Sequence, residues 1–464
     1  MKKNAGSIKN NSVVAVVGLG YVGLPLALLA SKKGHEVIGI DVDSDKVRKI
    51  NSRILPFEDK YLSLELEETA LHATTDPEAM RKADIIVICV PTPVYKNHLP
   101  NLKPLTKAAL AVAGQLRKGQ LVVVESTINP GVCDTVVMPI LEKWSGLKEG
   151  RDFYLSHCPE RINPGDAKWN VENIPRVAGS FSDEGLIRTL DFYRSVLTSE
   201  IKPMGSVKEA EAVKIVENAF RDINIAFVNE LARSFSYLGI DIVNVIEGAA
   251  TKPFSFMPHF PGAGVGGHCI PVDPYYLIEY AKKNGFTHHF LTLARHINND
   301  MPAYTADLAA RALKVKGIPM ASAKVAVLGL AYKANIDDCR ESPSFKIVER
   351  LKKYGADVAT YDPYVLSRSS EKSLKAALDN ASAVVIATSH SEFIRSITPE
   401  LIRSFGIKAV VDGRNCLKPK DFDGSGIIYA GIGRGFGINE EKKLAGNLTN
   451  RTDKQRVALA EVAA

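Results

Sequence analysis

The sequence predicts an α/β protein with two Rossmann-like doubly wound domains joined by a long central helix. Short apolar runs alternate with helical patterns up to about residue 205, and the same alternation returns after residue 315. Between these regions, the stretch from Ser206 to Tyr237 repeats apolar residues at helical spacing and contains no internal Gly or Pro. Strands and helices alternating on both sides of one long helix indicate two parallel-sheet domains.

Length and composition limit the class of protein. The chain has 464 residues, 45% hydrophobic and 24% charged, which is typical of a soluble protein with two or three domains. Its net charge of +7 is small for this length, and the basic residues are scattered, which suits a small anionic substrate. No module of interleaved aromatic and basic residues argues for nucleic-acid binding. The six cysteines form no C-x-x-C pair, so we expect a reduced, cytoplasmic protein without disulfides or bound metal. A polar N-terminus and the lack of a long apolar run predict neither a signal peptide nor a membrane span.

A dinucleotide-binding fingerprint opens the first domain. A buried strand predicted at Val13–Val17 runs directly into Gly18-Leu-Gly-Tyr-Val-Gly23, and a helix pattern follows from Leu24 to about Lys32. A second predicted strand, Glu36 to Ile40, ends at Asp41. In this context the first glycine makes a tight turn, the second admits a pyrophosphate at the helix N-terminus, and the third lets helix pack on strand.

The acid at Asp41 indicates which dinucleotide binds. A carboxylate at the end of the second strand can accept hydrogen bonds from both ribose hydroxyls, and it would repel a 2′-phosphate. The sequence therefore predicts NAD rather than NADP as the cofactor. The predicted cofactor-binding residues of this motif are Gly18, Gly20, Tyr21, Val22, Gly23 and Asp41.

Two further strand ends supply loops to the same edge of the predicted sheet. The strand Asp84–Val90 enters Pro91-Thr92-Pro93, and the strand Gln120–Glu125 enters Ser126-Thr127. Ligands bind outside the carboxyl ends of strands in open α/β sheets, so we add Pro91, Thr92 and Thr127 to the predicted cofactor site. Ordinary turn chemistry is the alternative explanation for the prolines. A further strand near Phe153–Ser156 runs into the segment from His157 to Gly165.

The central helix predicted from Ser206 to Tyr237 carries an apolar stripe and two polar residues of interest. Most of the stripe is expected to be core or a helix–helix interface, and a helix of this length is a natural spine and dimer contact. Lys214 and Asn218 are four residues apart and so share one face of the helix. Each of them taken alone is better explained as a solvated surface residue.

A glycine-rich loop from Phe260 to Pro274 surrounds a single cysteine, Cys269. Four glycines precede the thiol and Asp273 follows it by four residues, while two prolines fix the chain after it. A buried structural cysteine is the alternative, but the glycines, His268 and Asp273 favour a nucleophile in a ligand-binding loop. His268 itself is interpreted as a residue of the pocket wall.

The second domain repeats the pattern of the first. The run Lys324–Lys333 echoes the first strand and its turn, with Ala331 where Gly20 stands, and Ser342-Pro343 opens a helix to about Tyr354. The lack of a complete fingerprint predicts that this domain binds the other nucleotide-like ligand. The predicted limits are residues 1–205 for the cofactor domain, 206–315 for the central segment, 316–440 for the second domain and 441–464 for a polar tail. The further predicted strands of the second domain are Asp357–Asp362, Ala383–Ala387 and Lys408–Asp412.

With both domains placed, the sequence resembles the UDP-glucose/GDP-mannose dehydrogenase family from Val13 to about Gly437. The resemblance rests on separated motifs that occur in one order along the chain. These are Gly18-Leu-Gly-Tyr-Val-Gly23, Val90-Pro-Thr-Pro93, Glu125-Ser-Thr127, Pro159-Glu160, Lys214-x-x-x-Asn218, Gly266-Gly-His-Cys-Ile-Pro-Val-Asp273, the segment from Tyr332 to Ser342-Pro343, and Asp412-Gly-Arg414.

The resemblance implies an NAD-dependent, four-electron oxidation of a C6 hydroxyl to a carboxylate. Cys269 would add to the aldehyde as a thiolate and pass through a thiohemiacetal and a thioester. Lys214 and Asn218 would stabilise oxyanions at C6, Asp273 would orient or activate water, and Thr127 and Glu160 would lend hydrogen bonds. Arg340 would reach the cofactor from the second domain. The substrate-binding residues it implies are Glu160, Arg161, Lys214, Asn218, Gly264, Gly266, Gly267, Lys333 and Arg414.

One departure bears on the substrate. The UDP-glucose enzymes carry a second glutamate after Pro-Glu, where this chain has Arg161-Ile-Asn-Pro-Gly165. The residues of this segment and of the cysteine loop, Phe260 to Pro274, are similar to those of the branch that acts on UDP-N-acetylhexosamines. We therefore expect UDP-GlcNAc, with UDP-GalNAc, UDP-ManNAc and UDP-glucose as alternatives, and a product that feeds surface polysaccharides. A homodimer or higher homo-oligomer is expected.

Two other classes of protein share some of these features. A two-electron dehydrogenase of the 6-phosphogluconate or hydroxy-acid type would share the Rossmann domain and the long helix, but it needs no nucleophilic cysteine. A non-catalytic nucleotide-sugar-binding protein could keep both nucleotide folds, but it would not need Lys214, Asn218, Cys269 and Asp273 together.

Overall fold

A computed structural model describes residues 12–57, 60–69, 71–95, 99–162 and 168–434, without the side chains of Lys60 and Tyr61. The chain divides into two compact units. The first comprises residues 1–218 and 272–287, and the second comprises residues 219–271 and 288–464. The predicted tail at 441–464 and the Asn163-Pro-Gly165 part of the substrate motif lie outside the described residues. No described helix is long and apolar enough to cross a membrane.

The strands form two sheets. They are β1 (Val13–Val17), β2 (Glu36–Ile40), β3 (His72–Thr74), β4 (Ile85–Ile88), β5 (Leu121–Val124), β6 (Tyr154–His157), β7 (Arg176–Ser180), β8 (Ile201–Pro203), β9 (Lys324–Leu328), β10 (Asp357–Tyr361), β11 (Ala383–Ile386), β12 (Ala409–Asp412) and β13 (Ile428–Gly431).

The helices alternate with these strands and include one that is shared by both units. They are α1 (Gly23–Lys32), α2 (Ser44–Asn51), α3 (Lys60–Glu68), α4 (Lys103–Gln115), α5 (Met138–Ser145), α6 (Asp183–Val196), α7 (Val207–Leu238), α8 (Ile242–Ala250), α9 (Asp273–Lys283), α10 (His289–Val315), α11 (Pro343–Lys353), α12 (Leu374–Leu378), α13 (Ser391–Ser396) and α14 (Pro399–Ser404). The boundary between the units falls within α7, after Asn218.

The first unit is built on a sheet of the order β3-β2-β1-β4-β5-β6-β7-β8 within the described residues. Its strands are parallel except where β6 meets β7. Successive side chains of each central strand enter two different hydrophobic cores, so that Val14 and Val16 pack on one face and Ala15 and Val17 on the other. Both faces are covered by helices, which explains why β1, β4 and β5 are apolar at every position. The strand order reverses between β1 and β4, where open sheets bind ligands.

The second unit repeats this architecture with a parallel sheet of the order β10-β9-β11-β12-β13. Val325 and Val327 of β9 face one core while Ala326 and Leu328 face another. The predicted fold class, with Rossmann-like domains at both ends and a long central helix, is confirmed. The predicted strand Asp84–Val90 is longer than β4, because Cys89 and Val90 leave the ladder to pack against the turn at Gly18.

Candidate active site

The turn between β1 and α1 has the geometry of a phosphate-binding loop. Gly18 has φ +96°, and a Cβ there would lie 2.8 Å from the carbonyl oxygen of Cys89. A Cβ at Gly23 would lie 1.9 Å from the carbonyl oxygen of Gly18, whereas a Cβ at Gly20 would meet no atom within 4 Å. Val22 precedes α1 without a side-chain cap. An open backbone position beside an uncapped helix N-terminus fits the pyrophosphate of a dinucleotide.

Asp41 is placed beside this loop, but its carboxylate is largely engaged by the protein. One oxygen, Oδ2, accepts from the main-chain N–H of Leu19 at 2.8 Å and from Lys46 Nζ at 2.7 Å. The other, Oδ1, accepts from the N–H of Asp43 at 3.0 Å. Three of roughly four lone-pair positions are thus used. The carboxylate retains capacity for one further hydrogen bond, rather than the two that acceptance from both ribose hydroxyls requires.

The loops after β4 and β5 are joined directly. Thr92 Oγ1 donates to the carbonyl oxygen of Thr127 at 2.7 Å, while Pro91 is exposed at the start of its loop. Tyr276 of α9 is fully buried, and its hydroxyl donates to the carbonyl oxygen of Thr92 at 2.6 Å. The helix that begins at Asp273 is therefore anchored to the predicted cofactor loops. Tyr21, at the glycine turn, is 37% exposed and packs on Phe57 at a centroid distance of 4.3 Å.

Asp273 is the most perturbed acid of the candidate catalytic set in the first unit. It is 3% exposed, and Asn218 Nδ2 donates to its Oδ2 at 2.5 Å. Burial raises the pKa of Asp273 to about 7, although the hydrogen bond from Asn218 and the charge of Lys214 both oppose the rise. Lys214, Asn218 and Asp273 are all buried, so neither Lys214 nor Asn218 is the solvated surface residue that each would be expected to be if taken alone. A carboxylate with a pKa near neutral is suited to general-base work at physiological pH.

Replacing Asp273 with asparagine should lower activity and raise stability together. The folded-state pKa lies above the ordinary value of 3.8, so wild-type stability falls as pH rises from about 4 to about 7. Asparagine cannot ionise, so at pH 8 we expect it to stabilise the fold by on the order of 2 kcal/mol and to slow turnover about 100-fold. Thermal melts at pH 5 and pH 8 and a pH–rate profile would measure both effects.

The exposed Asp423 provides the matched control. Asp423→Asn should change neither the melting temperature nor the rate. A wild-type rate and an unchanged pH profile in the Asp273→Asn variant would contradict the role of Asp273 as a base.

A buried ion cluster lies at the carboxyl ends of β5 and β6. Arg176 is 1% exposed; its Nη1 donates to Glu125 Oε1 at 2.8 Å and its Nη2 pairs with Glu160. Glu125 also accepts from the hydroxyl of Tyr193, and burial raises the pKa of Glu125 to about 6. Glu160 Oε1 accepts from the main-chain N–H of Ile162 at 2.8 Å. Glu160 thus braces its own loop, and its availability to a ligand remains a prediction.

Arg161 is engaged by the central helix. Its Nε donates to Glu217 Oε2 at 3.1 Å and its Nη1 donates to the carbonyl oxygen of Pro175 at 3.0 Å. The guanidinium therefore has protein partners, and the role in substrate binding that the resemblance implies remains a prediction.

In the second unit, the glycines of the cysteine loop pack closely against the protein itself. A Cβ at Gly266 would lie 2.6 Å from Tyr332 Cβ, and one at Gly267, where φ is +90°, would lie 2.9 Å from the Tyr332 ring. The N–H of Gly267 donates to the carbonyl oxygen of Arg340 at 3.0 Å. Gly264 likewise approaches Pro302 and Pro343. These glycines are needed to form the loop, and their contact with a substrate remains a prediction.

Two basic residues predicted to bind the substrate lie in the second unit. Arg414 Nε donates to the carbonyl oxygen of Ala387 at 2.8 Å and its Nη1 to that of Gly264 at 3.4 Å. Its Nη2 is buried and has no hydrogen-bond acceptor among the described residues, and burial lowers the pKa of its guanidinium. A buried donor of this kind fits an oxygen-rich ligand. Lys333 is half-buried, directly after Tyr332.

The second sheet carries a counterpart of Asp41 that the protein occupies completely. Asp362 is fully buried at the end of β10, and its Oδ2 accepts from the N–H groups of Leu330 and Ala331 at 2.6 and 2.8 Å. His390 Nε2 donates to the same oxygen at 3.0 Å, and its Nδ1 accepts from the N–H of Asn335 at 2.8 Å. Its Oδ1 accepts from the N–H groups of Tyr364 and Val365 at 2.9 and 3.2 Å, so both oxygens of Asp362 are used to brace its own turn.

Several residues that the sequence did not single out support the site. Arg176 and Tyr193 hold the ion cluster, Tyr276 ties α9 to the loop after β4, and Lys46 pairs with Asp41. Tyr276 could have been found, because it lies one helical turn after Asp273. Arg340, predicted to reach the cofactor, holds the carboxylate of Asp338 with its Nη2 at 2.6 Å.

Comparison with known proteins defines the class. Residues 12–197 match the NAD binding domain of the UDP-glucose/GDP-mannose dehydrogenase family, residues 208–300 its central domain, and residues 326–419 its UDP binding domain. The phosphate-binding loop and these matches define an NAD-dependent dehydrogenase, which confirms the predicted cofactor. The chain belongs to the UDP-glucose/GDP-mannose dehydrogenase family, so the resemblance found in the motifs is confirmed.

Relatives of known activity extend over most of the chain. A UDP-N-acetyl-D-mannosamine dehydrogenase from Pyrococcus horikoshii is 40% identical over 91% of this chain and 99% of its own. A UDP-N-acetyl-D-glucosamine 6-dehydrogenase from Pseudomonas aeruginosa is 37% identical over 85% of this chain and 94% of its own. A solved structure of UDP-D-ManNAc dehydrogenase from Pyrococcus horikoshii superposes with a TM-score of 0.86 at 39% identity, covering 91% of this chain and 99% of that one.

Proposed function

We propose that this protein oxidises the C6 hydroxyl of a UDP-N-acetylhexosamine to the uronic acid in two NAD-dependent steps. The observation that carries the proposal is the buried Asp273, whose pKa of about 7 and contact with Asn218 suit a base, in a chain that also presents the half-buried thiol of Cys269. A base alone serves a two-electron alcohol oxidation. A thiol is the additional group that an aldehyde needs to reach the acid level through a covalent adduct.

The proposed sequence assigns a role to each of these side chains. The glycine turn, Asp41 and the loops that carry Thr92 and Thr127 would hold NAD⁺, which would supply the hydride acceptor for each oxidation. Asp273 receives the hydroxyl proton, directly or through water, while Lys214 and Asn218 stabilise negative charge on the C6 oxygen. After Asp273 has released this proton to solvent, the Cys269 thiolate adds to the aldehyde carbon. Oxidation of the thiohemiacetal removes a hydride and the hydroxyl proton, which also passes to solvent, and leaves a thioester.

Hydrolysis of the thioester completes the reaction. Asp273 takes a proton from water as the water oxygen attacks the acyl carbon, the carbon–sulfur bond breaks, and the thiol is restored. The uronic acid leaves with one oxygen from water. The glycine loop, Lys333 and Arg414 are assigned to the UDP-sugar, and the unsatisfied Nη2 of Arg414 supports a contact with its oxygen atoms.

The configuration of the hexosamine has two leading candidates. The residues of the Glu160-Arg161 segment and of the loop around Cys269 favour the N-acetylhexosamine branch, within which UDP-GlcNAc is our first choice, and a relative named UDP-N-acetyl-D-glucosamine 6-dehydrogenase supports it. UDP-ManNAc is favoured by a relative with 40% identity over 91% of the chain. UDP-GalNAc and UDP-glucose are the remaining alternatives.

We propose that the product supplies surface polysaccharides. We retain residues 1–205, 206–315 and 316–440 as the proposed domain limits.

A panel of nucleotide sugars tests the proposed function. NADH formation should be measured with UDP-GlcNAc, UDP-ManNAc, UDP-GalNAc, UDP-glucose and GDP-mannose, together with the mass of each product. We expect two NADH per sugar and a gain of 14 mass units, since two hydrogens are replaced by one oxygen. We also expect kcat/KM for an N-acetylhexosamine to exceed that for UDP-glucose at least about tenfold, the scale of one or two lost contacts. Preference for UDP-glucose or GDP-mannose, or one NADH per sugar, would contradict the proposal.

We also propose a homodimer that involves the central helix. Phe220, Phe227 and Met257 are between 46% and 64% exposed and line an open cavity of about 430 Å³ in the second unit. Exposed apolar side chains at this density favour a protein contact. Light scattering of the eluting protein distinguishes a dimer from a monomer of 50.5 kDa.

A further inference from the structure

The imidazole of His268 lies directly against the candidate nucleophile. The distance between Cys269 Sγ and His268 Nδ1 is 2.8 Å, which is short enough to hold one proton between sulfur and nitrogen. We propose that His268 is the base that deprotonates the Cys269 thiol and stabilises the thiolate. This inference rests on the proposed function of Cys269, and it replaces the interpretation of His268 as a residue of the pocket wall.

The loop backbone brings these two consecutive side chains together. In an extended strand, neighbouring side chains point to opposite faces, so a contact between residues i and i+1 needs an irregular backbone. The backbone bends at Gly267, His268 and Cys269, and the N–H of Gly267, whose φ is +90°, is fixed to the carbonyl oxygen of Arg340. The ring of Tyr332 fills the space where a Cβ at Gly267 would project. The turn that pairs His268 with Cys269 is thus held from the Tyr332–Arg340 segment.

Asp338 and Arg340 place charges of both signs near the pair. Burial would raise the pKa of Asp338, but the hydrogen bonds and charge of Arg340, with a contribution from the charge of His268, hold that pKa below its ordinary value. The Nε of Arg340 donates to both carboxylate oxygens of Asp338 at 3.0 Å, so the negative charge near the His268 ring is shared with a guanidinium. The arrangement resembles a cysteine–histidine pair oriented by a third group.

The proposed step conserves atoms and charge. The thiol proton moves from Sγ to Nδ1, leaving a thiolate beside an imidazolium. The sulfur electron pair forms a carbon–sulfur bond to the aldehyde carbon, and the carbonyl oxygen takes up the proton that the imidazolium releases. The product is the neutral thiohemiacetal, and His268 returns to its neutral form. When the thioester is later hydrolysed, the proton lost by the attacking water passes through Asp273 and solvent to Nδ1 of the neutral ring, and the imidazolium so formed returns it to the departing thiolate.

The reactivity of the thiol tests this role without turnover. Iodoacetamide alkylation of Cys269 in the full-length protein should be followed by mass spectrometry of its peptide between pH 5.5 and 9.5. At pH 6.5 we expect Cys269 to be alkylated about tenfold faster in the wild type than in the His268→Gln variant. In that variant the rate should follow the ionisation of an ordinary thiol, with a pKa near 8.5. The exposed His296 supplies the matched control, and His296→Gln should keep the wild-type profile.

Two results would overturn the proposal. One is a His268→Gln profile that superimposes on the wild type. The other needs no variant and applies even if His268→Gln does not fold: a wild-type profile with a single inflection near 8.5. Acid formation by a Cys269→Ser variant is measured in parallel. If the acid still forms there, the thioester route fails while the alkylation profiles still report on the His268 pair, so the two failures are distinguishable.

Discussion

Replacement of Cys269 by serine is expected to reduce acid formation by at least about 10³-fold, the scale of losing a covalent nucleophile. A serine hydroxyl keeps the size of the thiol but not its acidity, so the covalent adduct does not form near neutral pH. In the proposed mechanism the first oxidation uses Asp273 and not the thiol, so we expect it to proceed in the variant. The variant should therefore release at most one NADH per sugar and accumulate material at the aldehyde level. NADH absorbance and mass spectrometry of the quenched reaction measure both quantities.

The matched control for this substitution is Cys133→Ser. Cys133 is fully buried among hydrophobic side chains in the first unit, whereas Cys269 belongs to the second. The Cys133→Ser variant should still form two NADH per sugar, even if it melts at a lower temperature than the wild type. A Cys269→Ser enzyme that still makes the acid at the wild-type rate would exclude the thioester route.

Replacement of Arg176 by leucine is expected to destabilise the fold by about 3–5 kcal/mol, because it leaves two buried carboxylates without their cation. Glu125 and Glu160 share this guanidinium at the carboxyl ends of two strands. For a unit of this size, the loss corresponds to a fall in Tm of about 10 °C. Without Arg176, the buried carboxyl groups of Glu125 and Glu160 are more stable in their protonated form, and keeping them ionised costs more as the pH rises. The destabilisation should therefore grow from pH 5.5 to pH 8, which thermal melts at both values would show.

An exposed ion pair provides the matched control for Arg176. Arg403 lies 3.3 Å from Glu400 on α14, and the two side chains are 54% and 74% exposed. Arg403→Leu should change stability by less than about 1 kcal/mol and show no added pH dependence. Equal melting temperatures for the two variants would show that the buried cluster contributes nothing beyond an exposed pair.

Much of the fold follows from local patterns that are visible in the sequence. The strands β1 and β2 have the bounds that their apolar runs predict, and α7 agrees with its predicted range within one residue at each end. These elements are predictable because burial on both faces requires apolar residues throughout a strand, and one buried stripe requires helical spacing. The glycine turn is equally local, because its three glycines are each required by a nearby backbone contact or an open approach.

The polar interior was not predictable, because it depends on pairings between distant residues. Arg176 is 51 residues from Glu125 in the sequence, and only the order of the strands brings them together. The occupancy of Asp41 by Leu19 and Lys46 is likewise a property of the folded turn. His268 and Cys269 are adjacent in sequence, yet their contact depends on the bend of the loop at these residues and could not be assumed.

The saturation of Asp362 has a consequence for how one chain can hold two similar nucleotide folds. His390 and the main-chain N–H groups around Asp362 already use its carboxylate oxygens. The corresponding carboxylate of the first sheet, Asp41, can still accept a further hydrogen bond. Ala331 also fills the place of the second glycine of the fingerprint. Identical folds would compete for the same dinucleotide. Here the protein has already filled the recognition position of one of them, so the two ligands are sorted between the two folds before either arrives.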